Sequence, residues 1–548
     1  MNHATLPSTP PRDWDRLFGG LLLGVVAFRL VYLFFFVREF DLAGDEAYYW
    51  DWGRRLDWGY FSKPPMIGWL MGLAGRLSGN QEWALRLAPL VLGTFSLIAI
   101  QRLARAMFDA RTAFLAALLV VLTPGNAALN LLFTIDAPLV LTWTLALLFF
   151  WRAMEKSDSW KWWLLLALAI GLGSLSKQMM LVFPILMVIF AAISPQDRAL
   201  LRNPRMWTAI VIGAAFLTPV LIWQQANGWP TLSHMKEHFE VGNPAASAPP
   251  DLAQHASWFF QFPLIQAALY SPVTWLVMML VLVAAVRAWK NLDRRAALLV
   301  VFSAPALAVF YLMALRQDVH ANWPAVFYIA AFVLTAACID GAACGVSISE
   351  KWRRWGRRGV WIGLGMTVVT YVFPLLSGPA GLAGHDTLDP FARLRGWKES
   401  GERQGEFLKN VPHPERTFVV VFGHRHYASE TAFYMPQQPR VYRWQADGRR
   451  MSQYELWPAP GADMEGWDGL LFYPNSDQKF MAPSVFFRRS FAETNKLGDI
   501  DVPVGHGERR SYQVFLCKAL GKWPDSIPVQ IERDPGLKQF LEPKEPMP

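Results

Sequence analysis

Asp45 and Glu46 stand in the phrase Gly44-Asp45-Glu46-Ala47-Tyr48-Tyr49-Trp50, and Lys63 closes Tyr60-Phe61-Ser62-Lys63 before Pro64-Pro65, all shortly after a first apolar stretch. These residue types suit two chemical tasks at a membrane edge. A carboxylate can accept the proton of an attacking hydroxyl, and an ammonium can stabilise charge developing on an anionic leaving group. Ionisable groups near hydrocarbon cost a few kcal/mol, about 3 on insertion scales, so they are retained mainly where they line substrate paths or reaction centres. A solvated loop outside a span would carry the same residues, so positions further along must decide. They add Arg86 in Arg86-Leu87-Ala88-Pro89, Asp136 in Thr134-Ile135-Asp136-Ala137-Pro138, Lys177 in Ser176-Lys177-Gln178, and Arg316 and His320 in the run from Arg316 to Pro324. One lysine at a span end is ordinarily a snorkelling anchor. Several polar groups on one face of a dry bundle describe a site.

The elements that must hold them are membrane helices. With 53% hydrophobic and 17% charged residues over 548 positions, and a mean hydropathy of +0.21, the chain is too apolar for a soluble enzyme of this length. The net charge of +9 is dispersed in short clusters between apolar stretches, which excludes a nucleic-acid surface and reads as topology signals. Because a crossing helix needs about 20 apolar residues, eleven spans are expected, near 17–37, 83–104, 112–131, 137–153, 161–175, 178–194, 207–224, 270–288, 296–314, 322–341 and 359–377. Alternate connections carry Arg102, Arg105 and Arg111; Arg152, Lys156 and Lys161; Arg198, Arg202 and Arg205; Arg287, Lys290, Arg294 and Arg295; and Lys351 to Arg358. The positive-inside rule makes these cytoplasmic. Asp45, Glu46, Lys63, Asp136, Lys177, Arg316 and His320 then share the outer face.

Two outer loops are expected, 38–82 and 226–262. In the first, residues 46–56 read as a surface helix, with Tyr49, Trp50, Trp52 and Trp58 at interfacial depth. In the second, His234 and His238 stand one helical turn apart, a weak divalent-metal candidate that lacks a third ligand. Cys338, Cys344 and Cys517 give neither metal spacing nor a paired framework, and no cleavage site follows the first span, which reads as an uncleaved anchor. From residue 378 to 548 the chain turns polar, with segments at Thr417 to Phe422, Tyr427 to Tyr434, Arg440 to Trp444, Trp467 to Tyr473 and Ser511 to Cys517 that predict a soluble α/β domain. An odd number of spans puts it outside, after a membrane domain of residues 1–377.

The first loop, Arg86-Leu87-Ala88-Pro89, Thr134 to Pro138, Ser176-Lys177, Asn227-Gly228-Trp229-Pro230-Thr231-Leu232 and, in the polar part, Gly396-Trp397, Tyr427 to Met435 and Arg449 to Pro458 together resemble bacterial relatives of the protein O-mannosyltransferases. These are polytopic GT-C glycosyltransferases of family 39, related to lipid A aminoarabinose transferases. The resemblance implies a bacterial inner-membrane enzyme that moves a sugar from a polyprenyl-phosphate donor to a lipid, glycan or protein acceptor on the periplasmic side. It marks the first-loop acid, Asp45, as the essential one, here the general base, with Asp136 as a second carboxylate and Glu46 as the rival of Asp45. Lys63, Tyr60, Arg86, Lys177, Arg316 and His320 are the substrate-binding candidates, the lysines and arginines facing the lipid phosphate. Lys63 matches a Lys-Pro-Pro motif of the aminoarabinose transferases, which carry Glu where this chain has Ser62. A transporter or lipid flippase is the alternative, since polar intramembrane residues also line transport paths.

Overall fold

The computed structural model describes residues 12–36, 40–239, 251–385, 388–475 and 483–540. Apolar runs punctuated by capping side chains and prolines set the helices of the membrane part. They are α1 (Trp14–Phe35), α2 (Gly44–Gly53), α3 (Met66–Ser78), α4 (Glu82–Met107), α5 (Ala110–Val121), α6 (Pro124–Leu131), α7 (Asp136–Glu155), α8 (Trp160–Ser176), α9 (Val182–Ile193), α10 (Pro204–Ala215), α11 (Thr218–Ala226), α12 (Pro230–Phe239), α13 (Leu252–Tyr270), α14 (Pro272–Arg287), α15 (Arg294–Val301), α16 (Ala304–Met313), α17 (Phe327–Asp340) and α18 (Glu350–Ser377). Asp109 caps α5 by accepting from the Thr112 amide at 2.8 Å, and Asp293 caps α15 by accepting from Ala296 at 2.8 Å.

Six helices, counting α10–α11 and α15–α16 as continuous units, are long and apolar enough to cross a membrane, or up to eight if each of two bent pairs is one span. Both bends follow from proline, which cannot donate to the preceding turn. The α5–α6 pair turns by 70° before Pro124, and α13–α14 by 110° at Ser271, whose φ of 64° precedes Pro272. Three shorter apolar helices, Trp160–Ser176, Gln178–Ile193 and Phe327–Asp340, complete the set. Each apolar segment expected from the sequence coincides with one of these units. The expected outer loop 226–262 is a different matter: most of it is α12 and the apolar first arm of the α13–α14 pair.

The basic connections gather at one end. There Arg111 meets Asp340 at 2.9 Å, Arg205 meets Asp158 at 3.2 Å, and the Arg294 Nε donates to Asp197 at 2.9 Å.

Beyond α18, α19 (Trp397–Asn410) and α20 (Arg425–Tyr434) flank a five-stranded sheet of β1 (Thr417–Val421), β2 (Val441–Tyr442), β3 (Asp468–Pro474), β4 (Phe491–Gly505) and β5 (Glu508–Leu520). The order is β2-β1-β3-β5-β4, with β1 parallel to β2 and β3, and β5 antiparallel to β3 and β4. Two-residue alternation sends Phe418, Val420, Leu471 and Cys517 to a core of the domain's own. The other face, with Val419, Val421, Leu470, Phe472 and Val514, packs in one continuous core with Tyr48, Trp50, Trp52 and Tyr60 of the first loop. Of the aromatic residues expected at interfacial depth, Tyr49, Trp50 and Trp52 are therefore buried under the soluble domain, Tyr49 at 5% and Trp52 at 0% exposure, while Trp58 stays exposed. Tyr427 to Tyr434, read as part of the strand-and-helix alternation, is helical.

Candidate active site

The first turn of α2 separates the two neighbouring acids. Glu46 is fully buried, accepts from the backbone N–H of Ala43 at 2.9 Å and of Phe133 at 2.8 Å, and lies 3.5 Å from Arg86. Arg86, 2% exposed, donates to the carbonyls of Phe40 at 2.8 Å and Asp41 at 2.7 Å. Glu46 was expected as a catalytic carboxylate and Arg86 at the substrate. The Glu46 carboxylate and the Arg86 Nη atoms instead fix the start of the loop to α4, because a buried charge takes the partners that surround it. Tyr60, another binding candidate, is corrected in the same way: its ring stacks on Trp52 with centroids 4.4 Å apart, and its hydroxyl donates to the Trp52 carbonyl at 3.1 Å.

Asp45, one residue earlier, points away from that bridge, and its side chain is 48% accessible. Lys63, half-buried, has no ion pair or side-chain hydrogen bond among the described residues. Burial pulls its ammonium down to about 8, Lys177 adds repulsion, and the charges of Asp45 and Asp136 act upward against both. The charges of Lys177, Asp45 and Asp136 thus all act on Lys63. Asp136, at the first turn of α7, accepts from Lys177 Nζ at 2.8 Å and from Asn322 Nδ2 at 2.6 Å. The α7–α8 hairpin makes this pair, since Lys177 is the first residue past α8 and the close approach of Gly173 to Thr142 and Met180 admits no Cβ. Asn322 was not singled out in the sequence, although it lies within the Arg316 to Pro324 run. Asp136 and Asn322 also line an apolar cavity of about 300 Å³ with Leu97, Val140, Tyr328 and Phe332.

The soluble domain supplies what sequence reasoning missed most completely. At the start of α20, Arg425 Nη2 and His426 Nε2 each lie 3.3 Å from Asp45 Oδ1. Burial acts to raise the Asp45 carboxyl, but the hydrogen bond from His426 and the Arg425 charge more than reverse this and hold it well below the ordinary carboxylate range. His424 packs edge-on against His426 with ring centroids 4.2 Å apart, and burial, reinforced by the charges of His426 and Arg425, pushes it down to about 3. The phrase His424-Arg425-His426 follows a strand and opens a helix, which was the available signal.

Arg316 and His320 remain exposed in the 314–326 connection, Arg316 with no ion pair among the described residues and His320 against the Trp323 ring at 5.2 Å. His234 packs on Phe61 at 5.4 Å, and the side chain of His238 lies outside the described residues. Among the described residues no three His, Cys, Asp or Glu side chains gather into a metal-binding set.

Residues 62–223, from Ser62 through the α7–α8 hairpin, match the dolichyl-phosphate-mannose-protein mannosyltransferase family. The lipid A galacturonosyltransferase RgtD of Rhizobium johnstonii is 27% identical over 319 residues, which is 57% of this chain and 63% of that relative's length. The crystal structures of ArnT from Cupriavidus metallidurans, in the apo state and bound to undecaprenyl phosphate, superpose with TM-scores of 0.60 and 0.59. Both cover 91% of this chain and 97% and 98% of theirs, at 16% and 18% identity. Residues 62–223 thus match the mannosyltransferase family model, 57% of the chain is similar to a lipid A galacturonosyltransferase of which it spans less than two thirds, and the fold, with its C-terminal α/β domain, is that of the ArnT structures.

Proposed function

We propose that this protein is a bacterial inner-membrane glycosyltransferase that moves a sugar from a polyprenyl-phosphate donor to an acceptor hydroxyl on the periplasmic side. One observation carries the reading: an accessible, ionised Asp45 and the Asp136–Lys177 pair act electrostatically on Lys63, which has no ion pair among the described residues, and the Asp136 carboxylate lines an apolar cavity. In the reaction the acceptor oxygen bonds to the anomeric carbon as the bond from that carbon to the phosphate oxygen breaks. The electron pair departs on the phosphate, where Lys63 balances the new charge, and Asp45 takes the hydroxyl proton. Lys177, held by Asp136, adds positive potential.

The named relatives support the substrate classes. RgtD is by its name a lipid A galacturonosyltransferase, and ArnT was crystallised with undecaprenyl phosphate. A polyprenyl-phosphate sugar is accordingly the donor class proposed here, and a lipid A or related glycolipid the acceptor. The periplasmic orientation rests on the basic residues collected at the opposite end of the bundle.

Asp45→Asn tests the mechanism. It should retain undecaprenyl-phosphate binding and lose turnover by about 10²- to 10⁴-fold, the usual range for a lost acid–base group. Near-normal transfer by this variant would reject Asp45 as the base, and a purified protein that neither binds nor co-purifies with a polyprenyl phosphate by mass spectrometry would reject the donor class.

A further inference from the structure

We infer that the soluble domain completes the catalytic centre, with His426 a positioning residue that fixes one oxygen of Asp45 so that the other receives the acceptor proton. The inference rests on the proposed role of Asp45.

The geometry is asymmetric. Oδ1 of Asp45 meets both His426 Nε2 and Arg425 Nη2 at 3.3 Å, whereas Oδ2 has no hydrogen bond among the described residues. A carboxylate held at one oxygen has lost its rotational freedom without losing its basic lone pairs, which is what a base needs to meet a hydroxyl in a fixed direction. The contact is also built closely. A Cβ on Gly44 would lie 2.4 Å from His426 Cγ, so only glycine allows α20 to approach the first turn of α2 this far. Ser429 donates to the Gly44 carbonyl at 3.3 Å, the Leu42 amide donates to Tyr434 at 2.6 Å, and the Gln453 amide donates to Tyr48 at 2.5 Å. The docking is thus fixed at several points independent of His426. Arg425 is itself seated over the Tyr48 ring, 5.3 Å from its centroid.

Arg425 and His426 of α20 act on Asp45, and Asp45 in turn acts on His424, which caps α20, on Tyr49 of its own helix and on Lys63 of the loop, whose charge Asp136 also influences. Removing His426 deletes the largest influence that lowers the Asp45 carboxyl. The acidic limb of kcat/KM, which reports the free enzyme's base, should therefore move to higher pH.

The test compares His426→Ala and His426→Gln in the full-length protein, using as donor the undecaprenyl-phosphate sugar that the unaltered protein turns over, with galacturonic acid and aminoarabinose as the two tried. His426→Ala should lower kcat about 10- to 100-fold, the equivalent of one charge-assisted hydrogen bond, leave the KM for donor within a few-fold, and shift the acidic limb upward. His426→Gln restores an N–H donor and should recover most of kcat. An unaltered kcat and acidic limb in His426→Ala, while Asp45→Asn is inactive, would overturn the positioning role and leave the base assignment standing. If Asp45→Asn retains transfer, both fail. Equal loss in the alanine and glutamine variants at unchanged thermal stability would also overturn it, since a hydrogen-bond donor would then not be what the site requires.

Discussion

Lys63 shows how a single charge acquires a task. An ammonium that is half-buried and unpaired is normally a liability, because desolvation disfavours its charged form. Here burial and then Lys177 pull it down to about 8. Its charge is complete below that value and is lost as pH rises through it. If the ammonium receives the leaving phosphate, kcat/KM should fall on the alkaline side with a midpoint near 8. Lys63→Arg should keep activity at high pH and abolish that limb, and Lys63→Met should weaken undecaprenyl-phosphate binding below about pH 8, where the unaltered side chain is charged. An alkaline limb that persists unchanged in Lys63→Arg assigns it elsewhere. Glu46 provides the contrast: Glu46→Gln should cost stability more than chemistry, because it leaves Arg86 buried beside a neutral partner. In the sequence Glu46 stood beside Asp45 as its rival. Only their orientation on the first turn of α2, about 100° apart, divides a cleft residue from a buried strut.

At the scale of elements, the α7–α8 hairpin and the α2–α20 contact position the site. Asp136 and Lys177, 3% and 7% exposed, form an ion pair across the hairpin. Lys177→Met leaves a buried carboxylate with only Asn322 and should destabilise by about 3–5 kcal/mol, the typical cost of breaking a buried pair from one side. The double variant Asp136→Asn with Lys177→Met should recover much of that loss in thermal inactivation, and equal instability of the single and double variants would show that the pair is not coupled. Gly44→Ala belongs to the other contact. Its added Cβ displaces His426, so it should reproduce the kinetic defect of His426→Ala without touching any proton-bearing group, measured as a fall in kcat at unchanged donor affinity. Strand β4 was not anticipated because its sequence, with Gly498 and Pro503, reads as breakers; it is an edge strand with irregular register at both positions, where they are tolerated.

For the whole molecule, the question is which side each end of the bundle faces. The site and the soluble domain occupy the end opposite Arg111, Arg205 and Arg294. A reporter fused after Ser377 should be active only when exported, and one active only in the cytoplasm would invert the proposed orientation. Because one face of the sheet shares its core with the first loop, ending the chain at residue 377 should expose Tyr48, Trp50 and Trp52 and abolish transfer together with folding, seen as aggregation on extraction. A stable, active membrane part would contradict that shared core. The boundary drawn at 377/378 from composition coincides with the end of α18 at Ser377. It does not mark where packing stops.

The sequence by itself determined the membrane class, the positions of the apolar segments, the polar α/β region and the family resemblance, because composition and hydropathy are properties of neighbouring residues. It also brought Asp45, Lys63, Asp136 and Lys177 together through the alternation of basic connections, a long-range inference resting on one electrostatic rule. The tertiary structure alone decided which charges are satisfied. Arg86 and Tyr60 were drawn as substrate ligands and Glu46 as the rival catalytic carboxylate, and all three hydrogen-bond to backbone, while Asn322, Arg425 and His426 were passed over and touch Asp136 or Asp45. The reason is physical: a buried polar group takes the partner that folding brings to it, and for Asp45 that partner stands 381 positions away along the chain.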